Sequence, residues 1–134
     1  MPTDVAFGPD GTAYVADAYN HRIQRFAANG GRLDVWGGPL GLGIPGPWPG
    51  WFRVATGVHV DSGGRVFVAD FYNHRIQAFG PSGDFLSEWG EPGSGERALD
   101  RPTDVATGPR GRVFVADFGN DRIQVFACTS CGSG

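Results

Sequence analysis

The chain has 134 residues, 40% hydrophobic and 13% aromatic, enough apolar mass to pack one domain or part of a larger one. Its net charge of −3 argues against a surface that attracts nucleic acid all over, although its 11 basic residues, every one an arginine, suit planar contacts to carboxylate or phosphate. No stretch approaches the roughly 20 apolar residues of a membrane helix, so no membrane partner is expected, and the opening MetProThrAsp is not a signal sequence.

The sequence repeats itself. The decapeptide at 68–77 is nearly matched at 15–24 and 115–124, and Asp17, Asp70 and Asp117 set periods of 53 and 47 residues. Thr3, Thr56 and Thr103 keep the same offsets, as do Val5, Val58 and Val105. Periods of this length mark propellers, solenoids or arrays.

In chain order, a first unit over 2–53 opens with ProThrAspValAla, carries the decapeptide and closes with Leu33, Trp36 and Gly37. The loop that follows, from Gly37 to Val54, is six residues longer than its later counterpart. Its Trp48 and Trp51 read as cover for a sheet edge, with Phe52 plugging the core as Leu99 does, or as a lid that meets a partner. The second unit, 54–101, predicts strands at 56–60, 65–70, 75–79 and 85–89, rich in β-branched and aromatic residues and separated by Gly, Pro, Asn and Asp. Leu86, Trp89 and Gly90 repeat the earlier closing stretch. The third unit, 102–127, stops before it, and 128–134 reads as a flexible tail. There Cys128 and Cys131 have redox-type spacing but no strand–helix context, so no redox role is expected.

Four hairpin-linked strands form a sheet that cannot bury both faces alone, so such units must stack. The expected fold is all-β: a propeller of four-stranded antiparallel blades, three per chain, with the first strand of each blade at the axis and the Trp-bearing strand outermost. ProThrAspValAla, PheValAlaAsp, AsnHisArgIleGln and TrpGly, in that order and spacing, resemble NHL repeats over about residues 2–127. The resemblance implies a ring that is commonly six-bladed, of which this chain supplies half. Two chains forming a homodimer, or further blades of a longer protein, would cover the open faces.

The meander places the start of strand one, the end of strand two and the start of strand three at one end. Candidate ligand contacts there are Tyr19, His21, Arg22, Tyr72, His74, Arg75 and Asp121, with Trp48 and Trp51 from the long loop. The repeated Asp, Asn and Arg are expected to be architectural, with Asn20, Asn73 and Asn120 at left-handed turn positions. Because copy three has Asp121 and Gly119 where the others have His and Tyr, the tips are the variable part.

Peptide-amidating lyases resemble this chain and carry zinc-binding His at the start of innermost strands; the matching positions here are Thr3, Thr56 and Thr103. His59 alone does not rebuild that site and reads as a packed residue opposite Ala6 and Ala106. No cofactor is expected, with Asp4 and Asp104 the carboxylates placed to meet a channel metal such as calcium. The favoured function is a scaffold that binds a protein, a peptide or a small ligand. The alternatives are part of a lyase-like or lactonase-like enzyme with a channel metal, or an RNA-binding module, which the acidic residues on the same face oppose. The compartment stays open.

Overall fold

The computed structural model describes residues 1–128. Strands β1 (Pro2–Phe7), β2 (Ala13–Asp17), β3 (Arg22–Phe26) and β4 (Arg32–Trp36) form a first antiparallel sheet in chain order. A second contains β5 (Ala55–Val60), β6 (Val66–Asp70), β7 (Arg75–Phe79) and β8 (Phe85–Trp89). The third has β9 (Pro102–Thr107), β10 (Arg112–Asp117) and β11 (Arg122–Ala127). The expected strands of the second unit, and the three-stranded third unit, are all present.

β1, β5 and β9 lie side by side, and the sheets stack outward from them. Between the first and second sheets, Tyr14, Ile23 and Trp36 pack against Phe52, Val68 and Phe79. Between the second and third, Phe67, Ile76, Trp89 and Leu99 meet Val113, Val115 and Phe126. Every residue of β6 and β7 is therefore buried, which explains why ValPheValAla at 66–69 runs apolar without alternation. Deleting Phe67 to Ala in this doubly packed layer would cost about 3–5 kcal/mol. The β7–β8 turn is laid onto the neighbouring sheet: a Cβ at Gly83, whose φ is +102°, would lie 2.8 Å from Trp36 Nε1.

The first and third sheets each leave one face uncovered among the described residues. Phe7, 66% exposed, occupies in the first sheet the place that Val60 holds in the second, and Val5 matches Val58, which is 4% exposed. On the third sheet, Ile123 and Val125 are exposed where their counterparts Ile76 and Ala78 are fully buried. Past β11, Cys128 is buried and donates its N–H to Gly111 O at 2.7 Å. The rest of the expected tail, with Cys131, lies outside the described residues.

Candidate functional site

The registers Pro2↔Asp17 and Asp17↔Arg22, repeated as Ala55↔Asp70 and Asp70↔Arg75, gather the candidate residues at one end of the sheets. At each β2–β3-type turn a buried Asp is the hub. Asp70 accepts from Arg75 Nε at 2.8 Å, Asn73 Nδ2 at 2.9 Å, Gln77 Nε2 at 3.1 Å and the Arg53 backbone N–H at 2.7 Å. Asp17 takes Arg22, Asn20, Gln24 and the Met1 ammonium, and Asp117 takes Arg122, Asn120 and the Asp100 N–H. This regularity supports the architectural reading of Asp, Asn and Arg.

Burial and hydrogen bonding compete at Asp17 and Asp70. Burial pushes the Asp17 carboxyl up, but hydrogen bonds from Arg22, Asn20 and the amino terminus outweigh it and hold the group at about 2. Asp70 lies deeper, under the Trp48 loop, and there burial wins and raises its pKa despite the Arg75 charge. Arg75 itself is buried and also donates to the carbonyls of Pro47, Trp48 and Trp51, pinning that loop.

The left-handed position of each turn belongs not to Asn but to the next residue: φ is +54° at His21, +55° at His74 and +53° at Asp121. The Asn residues close the preceding 3-10 turns instead, because their amides are needed at the Asp hub. His21 and His74 reach sideways, accepting through Nδ1 from the Val54 N–H at 2.9 Å and the Arg101 N–H at 3.1 Å. Burial and the Arg53 charge lower the pKa of His21. Tyr19 and Tyr72 are exposed, whereas Gly119 is fixed by crowding, since a Cβ there would collide with the Asp100 carboxylate.

The long loop exposes apolar side chains at this end. Leu40 is 96% exposed, Trp48 57%, and Leu42 and Ile44 are also exposed. Trp51 is half-buried and meets Trp48 edge-on at 4.8 Å, with Gly46 between their rings.

Near the axis, Asp4 accepts from the Val5 and Val58 N–H groups, and Asp104 from Val105 N–H. No group of three His, Cys, Asp or Glu positioned for a metal occurs among the described residues. His59 packs against the Phe67 ring, with centroids 6.5 Å apart. It is half-buried, its Nε2 lies 2.9 Å from Thr107 Oγ1, and burial lowers its pKa. With Asp61, Arg65 and Phe67 it lines a pocket of about 410 Å³ at the opposite end of the sheets. The one sequence signal for this pocket is a His where the other copies carry Ala6 and Ala106.

Comparison with known proteins agrees with this geometry. The NHL repeat pattern matches residues 1–26, 52–79 and 99–126. Peptidyl-glycine alpha-amidating monooxygenase B of Xenopus laevis is 39% identical over 92 residues, 66% of this chain, and the mouse enzyme is 36% identical over 99 residues. The chain spans about 10% of the length of these relatives. Among solved structures, virginiamycin B lyase from Staphylococcus aureus aligns over 96% of this chain and 41% of its own, with TM-score 0.66 at 17% identity. A gluconolactonase from Xanthomonas campestris aligns over 87% and 34%, with TM-score 0.60 at 21% identity. At such identities the likeness is one of fold, and the fold is the β-propeller. The three matched segments span β1–β3, β5–β7 and β9–β11, and the chain belongs to the NHL-repeat family.

Proposed function

We propose that the chain is an interaction module: three propeller blades that a second copy completes into a six-bladed ring, whose end carrying the β2–β3-type turns and the Trp48 loop engages a protein or peptide. The observation that carries this reading is the equivalence of the open faces to buried ones. Val5 and Phe7 on the first sheet stand where Val58 and Val60 pack in the second, and Ile123 and Val125 stand where Ile76 and Ala78 pack. A first sheet is thus shaped to receive a third, and two such contacts related by a two-fold axis close a ring.

Light scattering over a range of concentrations tests the closure. A mass near twice 14.2 kDa is expected, falling to 14.2 kDa in Phe7→Glu while the circular dichroism stays that of a β protein. A wild-type chain that stays at the single mass at all concentrations would overturn it.

Similarity to amidating, lyase and lactonase enzymes supports a second reading, in which these blades belong to a propeller enzyme with a metal held by Asp4 and Asp104 together with groups from elsewhere. Elemental analysis of the purified chain separates the two. A stoichiometric ion, lost in Asp104→Ala, would favour the enzyme.

A further inference from the structure

The two crevices between adjacent sheets are built from matching positions, yet they differ at the end away from the β2–β3-type turns. Between the first and second sheets, Ala6 and Val60 pack against the shared apolar core. Further out, Tyr14 and Arg25 cross the crevice, both donating to Pro81 O, at 2.9 and 3.2 Å.

Between the second and third sheets each of these positions changes. His59 stands in the place of Ala6 and Thr107 in that of Val60, and they meet in a hydrogen bond of 2.9 Å between Nε2 and Oγ1. Phe67 replaces Tyr14 and Ala78 replaces Arg25, so this crevice has neither of the two crossing donors. It opens instead into the pocket of about 410 Å³, walled by the β5–β6 and β9–β10 turns. That volume falls within the range of small-molecule sites, roughly 300–1,000 Å³.

The polar groups of the pocket are fixed by the protein itself. Asp61 Oδ1 accepts from the Gly63 and Arg65 backbone N–H groups at 3.0 and 2.9 Å, and its Oδ2 from Arg65 Nε at 2.8 Å. The first and third sheets carry Gly8 and Gly108 in the place of Asp61, so this pairing is particular to the second. Asp61 is thereby engaged on both oxygens, while Arg65 Nη1 and Nη2 make no hydrogen bond to a described residue. Arg65 is the one cation among the described residues lining the pocket, because burial lowers the pKa of His59 and leaves its imidazole neutral at pH 7. Phe67, Val113 and Pro109 supply apolar wall. Two unengaged guanidinium nitrogens match the plane of a carboxylate. A phosphate dianion suits the site less, since Asp61 already offsets the Arg65 charge.

We propose that this pocket binds a small carboxylic acid with an aromatic body, its carboxylate on the Nη atoms of Arg65 and its ring against Phe67 and Val113. The site lies at the end opposite the Trp48 loop, between two sheets of one chain, and does not depend on ring closure.

The test is a proton–nitrogen correlation NMR titration of the full chain with hydrocinnamate and, separately, with its amide, following the backbone signals of Arg65, Thr107 and Gly111. The acid is expected to saturate these signals with a dissociation constant below about 1 mM, and the amide to bind roughly tenfold more weakly. Arg65→Gln removes the preference for the acid. Phe67→Tyr, the residue that the first sheet carries at this place, puts a hydroxyl into the space and weakens both ligands by roughly tenfold. Absence of saturation up to about 10 mM overturns the proposal, as does equal binding of acid and amide to the unaltered chain. Those two readings need no variant, so they decide the matter even if Arg65→Gln or Phe67→Tyr fails to fold.

Discussion

His21 Nδ1 accepts the backbone N–H of Val54 at 2.9 Å, and Val54 holds the left-handed φ of +63°. A β-branched residue in that region is strained, and the imidazole of the preceding blade is what fixes it. His74 does the same for Arg101, whose φ is +52°. The histidines are cross-blade clasps as well as surface tips.

Protonation of Nδ1 would turn this acceptor into a donor. The folded pKa of His21 is depressed by burial and by Arg53, as that of His59 is by burial, so the unfolded chain binds more protons at mildly acidic pH. Stability should therefore fall as pH drops below about 6.5 and level off below the folded values. His21→Asn keeps an acceptor and tolerates the left-handed turn, so urea midpoints between pH 7.5 and 5 should shift less in this variant than in the wild type. Equal slopes would remove His21 from the account.

The three Asp hubs differ in how much solvent can repair a loss. Asp70→Ala leaves the buried Arg75, Asn73, Gln77 and the Arg53 N–H without their acceptor, and about 3–5 kcal/mol of stability should go with it. Asp117→Ala faces Arg122, which is 32% exposed, and should cost about 1–2 kcal/mol less. Denaturant unfolding of the two variants checks the order, and a larger loss at Asp117 would contradict the role of burial.

Asp17 governs part of the acid limb. Its folded pKa of about 2 lies below the ordinary 3.8, so its contribution is full above pH 4 and is lost as pH falls towards 2. The depression is worth about 2 kcal/mol for this nearly buried group. Acid unfolding of Asp17→Asn should be flatter than the wild type over that interval, from a lower starting stability.

Strand positions and the stacking of units were legible because the period of the repeat, the turn residues and the apolar runs all agree. The hub was legible too, since Asp17 with Arg22 recurs in each copy. What the text of the chain hid are contacts between blades. Nothing local in AsnHisArg shows that the His binds a backbone amide 33 residues away, so its variation to Asp121 looked like freedom at a tip. Propensity favours Asn for the left-handed turn, and the side-chain demand of the Asp hub overrides it. His59 was hidden for a related reason. Its hydrogen-bond partner Thr107 and the pocket beside it come from the neighbouring sheet, and no residue near His59 in the chain announces them.

The threonines at the axis form a lateral series. Thr3 Oγ1 donates to Thr56 O at 2.9 Å, and Thr56 Oγ1 to Thr103 O at 3.1 Å. Thr56→Val should cost about 1 kcal/mol in unfolding of the single chain. Thr103 is the next member, and in the proposed ring its acceptor would lie on the following blade. Thr103→Val should leave the isolated chain unchanged and weaken the dimer, measured as the concentration at which the light-scattering mass halves. An unchanged dimer would argue against a ring built by continuing this series.

Trp48 and Trp51 sit in one loop with opposite duties. A Cβ at Gly46 would come within 2.6 Å of the Trp51 ring and 2.8 Å of the Trp48 ring, so Gly46→Ala should loosen both. Trp51 carries the carbonyl that Arg75 and Gln77 share, at 2.8 and 2.7 Å, so prying it away disturbs the Asp70 hub and lowers the melting temperature. Trp48 is mostly exposed, and Trp48→Ala or Leu40→Asp should shift melting little, because neither side chain leaves a cavity. If the loop meets a partner, those two silent changes are the ones that abolish the contact. A marked loss of stability in Trp48→Ala would instead return this tryptophan to the scaffold.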